Sequence, residues 1–88
     1  MERHKIIFKP SVEKDLKYLP PATVSRIQAR ILQLSSDPYP VKVVKLSGAE
    51  RMYRLRVGVY RVIYEVDNQA KLITIHYVRH RREVYRGI

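Results

Sequence analysis

Cysteine is absent, which excludes a disulfide framework, Cys-ligated zinc, iron–sulfur clusters and thiolate catalysis together. Acidic residues are scarce, with 8 Asp and Glu against 18 Lys and Arg, a formal charge of +10. No apolar run approaches the roughly 20 residues of a membrane-spanning helix. Met1-Glu2-Arg3-His4-Lys5 leads into a three-residue apolar patch, too short for a signal peptide. A cytoplasmic protein without membrane contact is expected. Metal and cofactor chemistry is not expected. The histidines fall at 4, 76 and 80, and the last two would share a face only on a helix, whereas a strand and its end are predicted there. Glu65 and Asp67 flank a turn and make no acidic cluster for Mg²⁺.

What is present suits a small folded body. The chain has 88 residues, too few for a second independent core, so one domain over 1–88 is expected. Apolar residues make up 45%, enough to cover a small core, and the 30% charged fraction suits a solvated surface. So much charge of one sign on so small a body repels itself and calls for an anionic partner.

Lys5-Ile6-Ile7-Phe8-Lys9, closed by Pro10, reads as a first strand. Ser11 then reads as an N-cap, with Val12, Leu16 and Leu19 at helical spacing and Glu13 and Asp15 near the positive end of the helix dipole, until Pro20 interrupts. Val24, Ile27, Ile31 and Leu34 mark a longer helix over about 21–35, opened by Pro21 and ended by Ser35-Ser36-Asp37-Pro38. Beyond Pro38-Tyr39-Pro40 the period falls to two, and 52–57, 60–66 and 72–78 read as an antiparallel meander. Gly58-Val59 and Asp67-Asn68-Gln69-Ala70 supply its turns. The order β-α-α-β-β-β describes an α+β domain with a helical hairpin on one face of a mainly antiparallel sheet and the other face open. Tyr53, Leu55, Val57, Tyr60, Val62, Tyr64 and Val66 form the face that receives Val24, Ile27 and Ile31, which makes the tyrosines core or rim residues.

A two-residue turn at Gly58-Val59 pairs Val57 with Tyr60, Arg56 with Arg61 and Arg54 with Ile63. Arg56 and Arg61 then oppose each other on the open face, with Arg54 two residues along, an arrangement that is destabilising by itself. A bound anion reverses its sign, and arginine grips phosphate through two N–H groups at once. The plain alternative is a solvated basic surface. Beyond Val78, the tail Arg79-His80-Arg81-Arg82-Glu83-Val84-Tyr85-Arg86 gathers four arginines, one histidine and one tyrosine. RNA phosphodiester cleavage needs a base for the 2′-OH proton, cations for the charge on phosphorus and an acid for the leaving 5′ oxygen. Histidine is the side chain suited to proton transfer near neutral pH, which makes His80 a candidate base; Arg61 and Arg81 can neutralise the phosphorane, and Tyr85 can stack on a base or exchange a proton. A tail that binds polyanions without chemistry is the alternative. His4 is expected on the surface, and His76 is expected to be structural.

Three segments resemble a known family. Lys45-Leu46-Ser47-Gly48, Met52-Tyr53-Arg54-Leu55-Arg56-Val57-Gly58-Val59-Tyr60-Arg61-Val62-Ile63-Tyr64-Glu65-Val66 and Val78-Arg79-His80-Arg81-Arg82-Glu83-Val84-Tyr85 closely resemble the RelE/ParE superfamily of bacterial and archaeal toxins, nearer its RelE branch. The resemblance covers essentially the whole chain. It implies a RelE-like fold and a ribosome-dependent endoribonuclease that cuts the messenger codon in the A site by metal-free 2′-OH attack and is neutralised by a cognate antitoxin. By position it makes Arg61 and Arg81 the phosphate-stabilising arginines and Tyr85 the tyrosine that stacks on or activates the codon. Lys45, Arg54, Arg56, Arg79 and Arg82 are expected to bind RNA. Better-known RelE enzymes carry lysines where this chain has Arg54 and Arg56, one of them in a general-base role. Arginine does not give up its proton, so the base is expected at His80 or Tyr85. Rival readings are a ParE-like gyrase poison without RNA cleavage and a non-catalytic RNA-binding module. The antitoxin is expected to present an acidic, largely helical segment that folds on contact.

Overall fold

The computed structural model describes residues 3–48 and 50–82. The element order is β1 (Lys5–Phe8), α1 (Pro10–Leu16), α2 (Pro21–Gln33), β2 (Val44–Lys45), β3 (Met52–Val57), β4 (Tyr60–Asp67) and β5 (Leu72–His80). The strands form one sheet in the order β1-β5-β4-β3-β2. The expected meander is its antiparallel centre, and β1 adds to it in parallel, Lys5 opposite Leu72 through Phe8 opposite Ile75. The two-residue β2 is an addition to the expected order, pairing Val44 with Arg54 and Lys45 with Tyr53.

Proline sets both helix starts. Pro10 and Pro21 stand in the first turn, where a missing N–H breaks no bond. The cap of α1 is Lys9, so the expected N-cap at Ser11 is corrected. Ser11 lies inside the first turn, and its hydroxyl donates to the His76 carbonyl at 2.7 Å, tying α1 to β5. Asp15 consequently stands late in α1, away from the positive end of the dipole, and its carboxylate reaches β5 instead. His4 is also corrected. It is only 9% exposed, its Nε2 lies 3.0 Å from Asn68 Oδ1, and its backbone N–H donates to the Ser35 carbonyl.

The core forms between the helices and one sheet face, as the alternation predicts. Ile27, Ile31, Leu34 and Val12 pack over Leu55, Val57, Val62, Tyr64, Val66, Ile73, Ile75 and Val78. The turn register is also as expected, with Val57 opposite Tyr60 and Arg56 opposite Arg61. Gly58 sits at φ +60°, the left-handed region that a two-residue turn with glycine first requires.

One irregularity controls what β5 presents. Between Ile63 and Tyr64 the register slips, so that Tyr64 faces Ile75 while Ile63 faces Tyr77, leaving His76 as an extra residue. Strict alternation from Ile75 would turn Val78 outward. The bulge turns Val78 into the core instead, and with it puts Arg79 on the outer face and His80 on the helix face.

Tyr64 is fully buried, and its hydroxyl donates to the Pro38 carbonyl at 2.7 Å. Burial, followed by the neighbouring Tyr53, Tyr39 and Asp37, pushes that hydroxyl well above the usual tyrosine range. The folded pKa is raised, so the stability it carries is complete below the unfolded tyrosine pKa of about 10 and falls by about 1.4 kcal/mol per pH unit above it, as the unfolded side chain alone ionises. Tyr64→Phe should therefore cost about 1 kcal/mol at pH 7 through the lost hydrogen bond and lose less stability than the parent above pH 10. Urea denaturation at neutral and alkaline pH measures both; equal alkaline losses in the two proteins would refute the assignment.

Candidate functional site

Across the three central strands, on the face away from the helices, stands a row of arginines. Arg56 on β3 is opposite Arg61 on β4, and Arg61 is opposite Arg79 on β5. Facing residues on neighbouring strands lie about 4.5–5.5 Å apart, so the three arginines start from adjacent positions on the sheet. The next row is Arg54, Ile63 and Tyr77, and beyond it come Met52, Glu65 and Thr74. The face thus grades from a cationic end beside the Gly58 turn, through a patch with an apolar side chain and a ring, to a carboxylate.

Each arginine is held differently. Arg61 is 7% exposed, and its Nη1 donates to the carbonyls of Gly58 and Tyr60, both at 3.0 Å. Two of its five N–H donors are committed to the turn. Arg79 pairs with the Asp15 carboxylate, donates to the Val78 carbonyl at 3.2 Å, and lies 4.9 Å from the centre of the Tyr77 ring. Arg56 is exposed and Arg54 half-buried. Carbonyls and one carboxylate therefore relieve part of the repulsion that the sequence alone would assign to a bound anion.

The other expected residues divide. The Arg81 backbone N–H donates to the Val59 carbonyl at 2.7 Å, which anchors Arg81 at the same turn as Arg61. Arg82 is exposed next to it, its N–H donating to His80 Nδ1 at 3.3 Å. Arg79 and His80 belong to β5 rather than to a tail leaving it, because the pairing runs on to Tyr60 opposite His80. The His80 ring stands edge-on to Tyr60, 5.7 Å between centres, on the helix side of the sheet. It is not brought into the arginine row. Lys45, opposite Tyr53, also shares the helix-side face and borders an open pocket with Tyr39, Glu50, Arg51 and Asp67. Tyr85 lies outside the described residues. His76 Nε2 lies 3.0 Å from Glu65 Oε1 on the outer face.

Asp15 is the residue that reading the sequence misses. Its Oδ2 accepts the Val78 N–H at 2.8 Å while Oδ1 pairs with Arg79, so one carboxylate fixes both the backbone and the side chain at the end of the row. Position within a helical period carries no sign of this contact, since the partner is 63 residues away. Among the described residues no group of His, Cys, Asp and Glu is arranged to hold a metal ion.

Residues 6–85 match a family model described as the ParE toxin of the type II toxin-antitoxin system parDE. Toxin RelE3 of Methanocaldococcus jannaschii is 32% identical over 85 residues, covering 92% of this chain and 94% of that relative. The RelE1 protein of the same organism is 33% identical over 79 residues, covering 86% of this chain and 88% of its own length. Among solved structures, an archaeal RelE–RelB complex from Pyrococcus horikoshii OT3 contains a chain that superposes with a TM-score of 0.81 at 33% identity, over 90% of this chain and 96% of that one.

Proposed function

This chain belongs to the RelE/ParE family of toxins of type II toxin–antitoxin systems, and from that premise we propose that it is a ribosome-dependent endoribonuclease that cuts messenger RNA in the A site. The observation that carries the reading is the arginine row Arg56–Arg61–Arg79, with Arg81 anchored at the same turn. Its rigid part is Arg61, clamped by the turn's own carbonyls. A donor fixed before the reaction needs no reorganisation when charge develops, which is where electrostatic catalysis gains most.

In the proposed reaction the 2′ oxygen attacks the adjacent phosphorus as its proton passes to a base. The P–O5′ bond then breaks, and the 5′ oxygen takes up a proton. Arg61 and Arg81 neutralise the added charge on the phosphorane, while Arg54, Arg56, Arg79 and Arg82 hold the flanking strand. The bulge at His76 turns His80 toward Tyr60 and the helices, which favours Tyr85 for the proton transfer. The reaction written in this way uses no metal. A cognate antitoxin is part of the proposal, as the Pyrococcus horikoshii relative is solved with RelB. An acidic segment suits a surface of this charge.

Induced expression without the antitoxin should stop growth through translation, and primer extension on a translated message should show cuts in frame with codons. Tyr85→Phe should lower single-turnover cleavage by at least about tenfold if the hydroxyl moves the proton. Full activity in Tyr85→Phe, combined with loss in Tyr85→Ala, would reduce the tyrosine to a stacking platform. His80→Ala should leave the pH profile unchanged. Growth arrest with intact messages and broken DNA would refute the nuclease reading in favour of a gyrase poison.

A further inference from the structure

A second cationic cluster lies on the other side of Arg56. β2 pairs with Tyr53 and Arg54, and among the described residues no strand pairs with the outer edge of β3 from Leu55 onward. Along it runs a groove lined by Arg26 and Arg30 from α2, Lys42 from the following loop, and Arg56. The Arg26 guanidinium lies over the Gly58 turn, its Nη1 3.5 Å from where a side chain at Gly58 would begin. None of these four cations forms an ion pair among the described residues. Lys42 in addition sits at φ +73°, in the left-handed region that non-glycine residues seldom occupy. Two independent features, gathered like charge and backbone strain, thus oppose folding at one place, with no ion pair among the described residues to offset the charge.

We propose that this groove is a second phosphate-binding track, along which an RNA strand held by the arginine row continues past the Gly58 turn and over the edge of β3. The inference rests on the RNA-binding reading above and extends its footprint. Arg56 belongs to both the row and the groove, so a single strand meets them without a break. Three of the four cations are arginines, which grip phosphate oxygens through paired N–H groups. An acidic helix would need an apolar anchor as well. The groove offers Val41 alone, since its other apolar lining residue, Leu55, is 2% exposed. The left-handed lysine follows the same logic: glycine would relax the backbone there but remove the cation.

The test uses the intact protein with 2′-O-methyl RNA, which binds without being cut, at lengths of about four and about twelve nucleotides, spanning the site sizes of small single-strand binders. Binding is followed by fluorescence anisotropy across a salt series. The Arg26→Gln/Arg30→Gln variant should lower the salt slope for the longer RNA by about 1.4, two contacts at roughly 0.7 each, and leave the shorter RNA unchanged. Lys42→Gly should lower the long-RNA slope by about 0.7 while melting at or above the parent temperature, which separates lost charge from lost folding. Equal slopes for parent and variants, or equal losses at both lengths, overturn the track. Failure of the parent protein to bind either RNA overturns the track, while the nuclease reading stands or falls on the codon-phased cuts in a translated message. Weaker binding of a polyglutamate peptide by the double variant, with RNA binding intact, would assign the groove to a protein partner and overturn the proposal.

Discussion

Arg61→Ala is expected to lower single-turnover cleavage by about 10²-fold or more, roughly 3 kcal/mol of transition-state stabilisation, with a much smaller effect on ribosome binding. The size follows from how the side chain is held. Nη1 donates to the Gly58 and Tyr60 carbonyls, so the guanidinium keeps one orientation, and burial to 7% exposure strengthens its field on a nearby phosphate. A solvated arginine would contribute far less. Arg81→Ala should act in the same direction from the same turn. Because Arg61 also holds the turn, Arg61→Lys is the companion variant: it keeps a charge without the fork and should recover part of the rate. A loss in Arg61→Ala that merely follows the fraction unfolded, measured by thermal melting under the assay conditions, would make Arg61 a turn residue and refute the catalytic role.

Asp15→Ala should produce the largest loss of stability among the polar residues considered, about 2–3 kcal/mol. The carboxylate is only 13% exposed and holds the Val78 N–H as well as Arg79. The estimate stays below that of a fully buried pair because the Arg79 side chain is 35% exposed and solvent screens part of the attraction. Binding should move the other way. Asp15 competes with any phosphate for Arg79, so Asp15→Asn, which retains an acceptor for the Val78 N–H, should steepen the salt slope of RNA binding by about 0.7. Urea denaturation and a salt titration of RNA affinity measure the two effects. An unchanged slope in Asp15→Asn would mean that Arg79 stands away from the bound strand.

Where structure depends on neighbours in the chain, it was legible beforehand. Gly58 demanded a tight turn, the turn aligned Arg56 with Arg61, and the period of two sent Leu55, Val57, Val62 and Tyr64 to one core face. What escaped depends on residues distant in the chain. The two residues of β2 are too short to show alternation, and nothing local to Lys5–Phe8 states that its partner is β5. The bulge at His76 has no glycine to announce it, and it alone decides that Arg79 rather than His80 joins the row. His4 looked exposed as a polar residue near a charged start, yet Asn68 and Ser35 hold it in place. Arg26, Arg30 and Lys42 come from separate segments, and only folding gathers them beside Arg56.

The place of β5 in the sheet bears on how such a toxin can be made safely. It lies between β1 and β4 and supplies Arg79, yet among the described strands it comes last in the chain. Synthesis is vectorial, at about 5–20 residues per second, and distant strand pairs form late. While β5 is still unmade, β1 has no neighbour to pair with, the helices cover half a sheet, and the arginine row is short of one member. A ribosome translating this message therefore carries a product with an incomplete sheet until β5 has been made. The arginine row is complete only when β5 inserts, by which time an antitoxin already present can meet the toxin as it closes.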